Sequence, residues 1–332
     1  MKKILNAPQA YVDETLEGLV AAHPEQLRRL GDDGRVIARA GGAGPGKVGI
    51  VTGGGSGHLP VFLGYVGEGL LDACAVGNVF AGPRVGDCQM AARAADGGAG
   101  VLQLYGNYGG DRMNFDMSQE FLQMEGLDVV SVRVADDVAS APAVDRIKRR
   151  GVAGMVYAFK VAGARAAEGA SLKEVAAAAQ KAADACRSIG VALTPCVVPE
   201  SGKASFTIGD AEIEFGMGIH GEPGIWRGAM KSADALADEM LSHLLPELPL
   251  DRGGRVAVLV NSLGATPHEE LYILYRRVAQ VLAGRGVSPV MPLVGRYATS
   301  MEMAGASLTL MPLDGELERL LQAPAQCPFW RV

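Results

Sequence analysis

The chain has 332 residues, 48% of them hydrophobic and only 20% charged, which gives enough apolar material for two cores of ordinary size. Its net charge is −6 with Lys and Arg scattered along the sequence, which excludes the basic stripe of a nucleic-acid binder. The N-terminal MKKILNAPQAY is too weakly apolar for a signal peptide, and no run of about 18 uncharged apolar residues marks a membrane span, so the cytoplasm is the expected location.

In chain order, apolar runs predict strands over residues 48–52, 71–80, 100–105 and 127–134. Helices are predicted over 111–124 and 171–189, the second opened by a capping box of Ser171 and Glu174. Continuous apolar strands separated by helices predict a parallel sheet covered on both faces. Composition shifts near residue 190, where 194–203 is a Pro-, Ser- and Gly-containing connection. Beyond it, FTIGDAEIEFGMGI predicts a hairpin turning at Gly209-Asp210, followed by a strand over 255–261. Thr266, Pro267 and Glu269 supply N-cap, first-turn proline and capping glutamate for a helix to about 283. Strands over 290–294 and 308–311 and a short helix over 316–321 complete the pattern. The predicted fold class is α/β in two domains: a parallel-sheet α/β/α domain over 1–189 and a smaller mixed-sheet α+β domain over 190–332. Cys74, Cys88, Cys186, Cys196 and Cys327 are far apart and form no CxxC pair, which reads as buried thiols in a reducing compartment.

Two near-matches to known motifs fail on chemistry. Gly41-x4-Gly46-Lys47 lacks the Ser or Thr that would hold magnesium, has Pro45 where a donor is needed, and leads into a strand instead of a helix. Gly54-x-Ser56-x-His58 lacks the last glycine of a hydrolase elbow. No HExxH or dense carboxylate cluster offers a metal site.

Three glycine-rich loops remain, each with a titratable side chain. Gly53-Gly54-Gly55-Ser56-Gly57-His58 could bring backbone close to a ligand and set an imidazole at its end, or could be a flexible turn with an exposed histidine. In Gly106-Asn107-Tyr108-Gly109-Gly110-Asp111, the aspartate could cap the next helix or act as a base at the carboxyl ends of the sheet. In GMGIHGEPG, the glycines around His220 argue against a packed core histidine, whereas His23, His243 and His268 read as surface or structural.

GGGSGH, the NYxGDxxNF stretch from Asn107 to Phe115, GIHGEPG and the closing TSMEMAGASLTLMPLD together resemble, in order, the ketose-binding subunit of the dihydroxyacetone kinases, whose fold is related to that of DegV proteins. The resemblance implies that His220 bonds covalently to the carbonyl carbon of a small ketose as a hemiaminal. Carbonyl addition selects ketoses over polyols such as glycerol, which have no electrophilic carbon. It further implies that His58 protonates the oxyanion and that Asp111 takes the proton of the terminal hydroxyl as it attacks phosphorus. Gly55, Ser56 and Gly57 would hold the remaining hydroxyls through backbone groups. No cofactor or metal is expected on this chain. Mg-ATP or ADP belongs on a helical nucleotide-binding partner subunit, joined by a phosphocarrier subunit where a phosphotransferase relay supplies the phosphoryl group. A homodimer is the expected assembly, without nucleic acid or membrane partners. Leu59 and Gly106 stand where many relatives have glutamate and lysine. Losing that lysine removes a donor and opens volume, which brings in four- and five-carbon ketoses such as erythrulose or apulose beside dihydroxyacetone. A ketose-sensing protein without transfer is the main alternative, weighed against by Asp111. A fatty-acid-binding protein of the DegV-like fold is weighed against by the glycine setting of His220.

Overall fold

The computed structural model describes residues 2–332. After helix α1 (Tyr11–Ala22), six strands form the first sheet: β1 (Leu27–Leu30), β2 (Val36–Arg39), β3 (Gly49–Gly55), β4 (Ala73–Gly77), β5 (Val101–Gly106) and β6 (Val129–Val134). Their order is β1-β2-β4-β3-β5-β6, with β4, β3, β5 and β6 parallel and β1 and β2 antiparallel at one edge. Every residue of β3 is buried, as a central strand requires. The strand runs three residues past the predicted end, because Gly53, Gly54 and Gly55 pair with Ala75, Val76 and Gly77. Helices α2 (Val85–Ala95) and α3 (Gly109–Met124) cover one face through Cys88, Ala91, Phe115 and Leu122. Helices α4 (Met155–Ala167) and α5 (Leu172–Ala185) cover the other.

The second sheet takes β7 (Arg187–Thr194), β8 (Glu212–Phe215), β9 (Trp226–Ala229), β10 (Arg255–Ser262), β11 (Ser288–Gly295) and β12 (Ala304–Leu313) in the order β11-β10-β12-β7-β8-β9. Only β10 and β11 are parallel, so the sheet is mixed as predicted. Helices α6 (Ala233–Leu244) and α7 (His268–Gly284) pack on its outer face. Its inner face meets α4, α5 and α8 (Gly315–Gln322), so these helices lie between the two sheets and one apolar cluster joins both. This placement makes α4 apolar on nearly all sides, which removes the amphipathic pattern that would have announced it in the sequence.

Several local expectations change for identifiable reasons. The Ser171–Glu174 capping box forms, but α5 stops at Ala185 and the chain turns at once into β7. Thr266 does not cap α7, because its hydroxyl accepts the Gly305 N–H (2.8 Å). The hairpin of the second sheet is β8–β9, closed by stacked Phe215 and Trp226 (5.4 Å between centroids) and not by a turn at Gly209-Asp210. GIHGEPG is therefore the hairpin loop itself. The near-match to a phosphate loop leads into β3, and Lys47 is engaged by both carboxylate oxygens of buried Asp72 (2.8 and 3.0 Å).

Candidate active site

The carboxyl ends of β3 and β5 open toward the β8–β9 hairpin loop, and all three titratable residues singled out in the sequence meet there. His58 ends a single turn after β3 and is fully buried. Its Nδ1 lies 2.7 Å from the Thr299 carbonyl oxygen. A carbonyl only accepts, so Nδ1 carries the proton and Nε2 keeps its lone pair. That Nε2 is buried with no partner among the described residues. Burial, helped by neighbouring His220, pushes the imidazole down to about 3, so the ring is neutral. Phe80 stacks on it at 5.0 Å. A group meant to protonate an oxyanion would need a proton on Nε2; this tautomer makes Nε2 an acceptor.

Asp111 lies in the first turn of α3, but the N-cap is Tyr108, which makes no side-chain cap bond. The capping explanation for Asp111 therefore fails. Its Oδ1 is buried without a partner, and burial, partly offset by His220, pushes the carboxyl up to about 6. Gly82, in the loop after β4, leaves room for it: a Cβ there would stand 2.7 Å from Oδ1.

His220 is held from behind. Its Nδ1 is 3.0 Å from Glu222 Oε1, and its backbone N–H donates to Oε2 at 2.9 Å. Burial pushes the Glu222 carboxyl up, but the hydrogen bond and charge of His220, with Arg150 nearby, outweigh it and hold Glu222 at about 2. An ionised carboxylate accepts only, so Nδ1 carries a proton, and in the neutral form of the ring Nε2 holds the lone pair. Arg150 stands 3.8 Å from Glu222 and 2.8 Å from Asp137, extending the support. The His220 ring meets His58 and Tyr108 edge-on, each at 4.7 Å. Burial pushes the Tyr108 phenol well above its ordinary range, and its hydroxyl has no partner.

Ser56 Oγ, His58 Nε2, Tyr108 OH and Asp111 Oδ1 are four of the eight buried side-chain polar atoms without a partner among the described residues. Such atoms are rare in folded proteins, and their gathering beside one exposed nucleophile marks a ligand site. The glycines serve differently from expectation. Gly57 N–H already donates to Val79 O (2.7 Å) and its carbonyl accepts from Met301 (2.8 Å). A Cβ at Gly55 would stand 2.3 Å from Val79 O. Both glycines thus let the turn pack on the segment after β4, and Ser56 is the member of the trio with a free polar atom. At Gly106 no volume opens, because a Cβ would meet Met155 Sδ at 3.1 Å and the Tyr108 ring at 3.3 Å. Tyr108 and Glu222 sat unassigned inside the quoted motifs. Thr299 likewise opens the TSMEMAGASLTLMPLD stretch, whereas Arg150 reaches the site by folding alone, with no local signal.

Comparison with known proteins gives the family. The Dak1 domain family model matches residues 17–329. The chain is 45% identical over 332 residues to the PTS-dependent dihydroxyacetone kinase 2, dihydroxyacetone-binding subunit DhaK of Listeria innocua, with 100% of both chains covered. It is 43% identical over 335 residues to the L-erythrulose kinase of Pectobacterium atrosepticum, covering 100% of this chain and 56% of that longer one. The native dihydroxyacetone kinase of C. freundii shares the fold with a TM-score of 0.90 at 33% identity, over 99% of this chain and 60% of that one. The dihydroxyacetone kinase operon co-activator DhaQ matches with a TM-score of 0.87 at 32% identity, over 94% and 96%. With a family model spanning nearly its whole length and end-to-end likeness to a kinase subunit, this chain belongs to the Dak1 family, among the ketose-binding subunits of dihydroxyacetone kinases.

Proposed function

We propose that the chain holds a small ketose as a hemiaminal on His220 and presents its terminal hydroxyl for phosphorylation by a nucleotide-carrying partner subunit. The observation that carries this reading is the pairing of a free His220 Nε2 with four unpartnered buried polar atoms. The Nε2 lone pair bonds to the carbonyl carbon and the C=O π pair moves to oxygen, which takes up a proton from a water molecule. The imidazole sheds its Nδ1 proton by way of Glu222 to the hydroxide left behind, so Glu222 ends ionised as it began. His58 Nε2 then accepts a hydrogen bond from the new hydroxyl. Asp111 takes the proton of the terminal hydroxyl as that oxygen attacks phosphorus.

The nucleotide, as Mg-ATP or as ADP recharged by a phosphocarrier, sits on the partner. In keeping with this, the isolated chain is expected to show no Mg-ATP binding by calorimetry at micromolar concentrations. The candidate substrates are dihydroxyacetone and four- or five-carbon ketoses; likeness to an L-erythrulose kinase supports the longer ones. A cytoplasmic homodimer is the proposed setting. A second reading, a ketose sensor without transfer, draws support from the likeness to the co-activator DhaQ. Asp111 weighs against it, since trapping a carbonyl needs no base at the far hydroxyl. Intact-protein mass spectrometry after ketose treatment tests the reading. It should show one reversible adduct, lost in His220→Ala. An equal adduct on that variant would overturn it.

A further inference from the structure

Outside this site, a cavity of about 360 Å³ lies beside edge strand β6, and three guanidinium groups line it: Arg133, Arg146 and Arg187. Asp184 is the one carboxylate in its lining, and Gln180 adds a neutral donor. Arg187 is the fixed member, its side chain only 10% exposed. Its Nε donates to Glu247 (3.0 Å), and its Nη1 donates to the carbonyls of Asp184 (2.8 Å) and Cys186 (2.7 Å). Its Nη2 has no partner among the described residues. The Arg146 side chain forms no hydrogen bond or ion pair among them, and Arg133 reaches only a distant Asp116 at 4.0 Å. Arg187 is paired with Glu247, but Arg133 and Arg146 outweigh the single Asp184 carboxylate and leave the concavity cationic. Planar guanidinium forks suit the oxygens of a phosphate group. We infer that this cavity is a second ligand site, which takes a dianionic phosphate group, free or carried on a small ester.

The site abuts the candidate active site without being part of it. The Asn107 amide donates to the Ile147 and Arg149 carbonyls (3.0 and 2.7 Å), so the segment bearing Arg146 is tied to the loop that leads to Asp111. The inference does not depend on the chemistry proposed for His220.

Calorimetry on the full chain in low-salt buffer tests it with inorganic phosphate, glycerol 3-phosphate and ADP as probes. The two phosphate probes should bind the parent chain and His220→Ala alike. Affinity should fall by about tenfold or more in Arg133→Gln/Arg146→Gln and weaken as salt rises. Both arginines are at the surface, and Arg146→Gln alone serves if the double variant does not fold. Three results would overturn the inference: no phosphate binding by the parent chain at millimolar concentration, unchanged binding by the arginine variants, or ADP binding more than about tenfold tighter than phosphate, which would mark a nucleoside pocket instead.

Discussion

Two histidines, one from each sheet, stand with ring centroids 4.7 Å apart and carry the same tautomer, yet their surroundings give them opposite characters. His58 follows a central parallel strand, is fully buried, and binds a neutral carbonyl through Nδ1. His220 sits on a hairpin loop at the margin of the mixed sheet, keeps 23% of its side chain exposed, and binds an ionised carboxylate. A carbonyl fixes the ring but cannot stabilise positive charge that develops when Nε2 attacks a carbon. A carboxylate does both. In the proposed chemistry the partner behind the ring, more than the ring itself, separates a nucleophile from a passive acceptor.

Asp111 gives the largest test of the division of labour around these rings. Asp111→Asn keeps the shape and removes the base, so turnover in the reconstituted kinase should fall by roughly two to four orders of magnitude while the His220 adduct survives. In the parent chain, turnover should rise with pH through about 6, where the Asp111 carboxyl ionises. Next in size is Glu222→Gln, which can still accept from Nδ1 but carries no charge. Adduct formation should slow by about tenfold to a hundredfold if the carboxylate makes His220 the nucleophile. An unchanged rate would erase the contrast between the two histidines.

Smaller effects sharpen the picture. Gly106→Lys introduces the cation that the family resemblance leads one to expect there, and should move the ratio of specificity constants toward dihydroxyacetone by about tenfold. Met155 and Tyr108 must shift a few tenths of an ångström to admit its Cβ alone, so a loss of activity on every ketose would show that packing governs the position. The last effect is on stability. The Asp111 carboxyl titrates at about 6 when folded against an ordinary 3.8, so its ionisation costs stability. That cost is absent below the unfolded value, grows as pH rises toward 6, and is complete above it. Asp111→Asn should therefore be more stable than the parent by about 1–3 kcal/mol in urea at pH 7, and no more stable near pH 4.

The sequence was most legible where chemistry needs an unusual local composition. Glycine-rich loops after apolar runs pointed to His58, Asp111 and His220, and the fold brings all three together. It was least legible where a residue acts through tertiary contact. Thr299 opens a motif legible in the sequence, but it lies 241 positions from the His58 that it orients, and that motif does not tell which ring it binds. Arg150 reaches Glu222 only because the segment after β6 folds against the hairpin loop. Burial hid α4 in another way, since a helix between two sheets has no polar face to set its period. The glycines of the first loop misled by chemistry: they suggested ligand-facing backbone, while Gly55 and Gly57 let the chain pass under Val79 and Phe80.

The central claim is that one ring of the two forms the bond. A ketose labelled with ¹³C at its carbonyl, bound to protein carrying ¹⁵N-histidine, tests it by NMR. The account predicts that the carbon resonance moves from the carbonyl region to the tetrahedral region and couples to a histidine nitrogen. The coupled signal should persist in His58→Ala and vanish in His220→Ala. A bound ketose whose carbon stays trigonal in the parent chain, or a coupled signal that survives in His220→Ala, would contradict it.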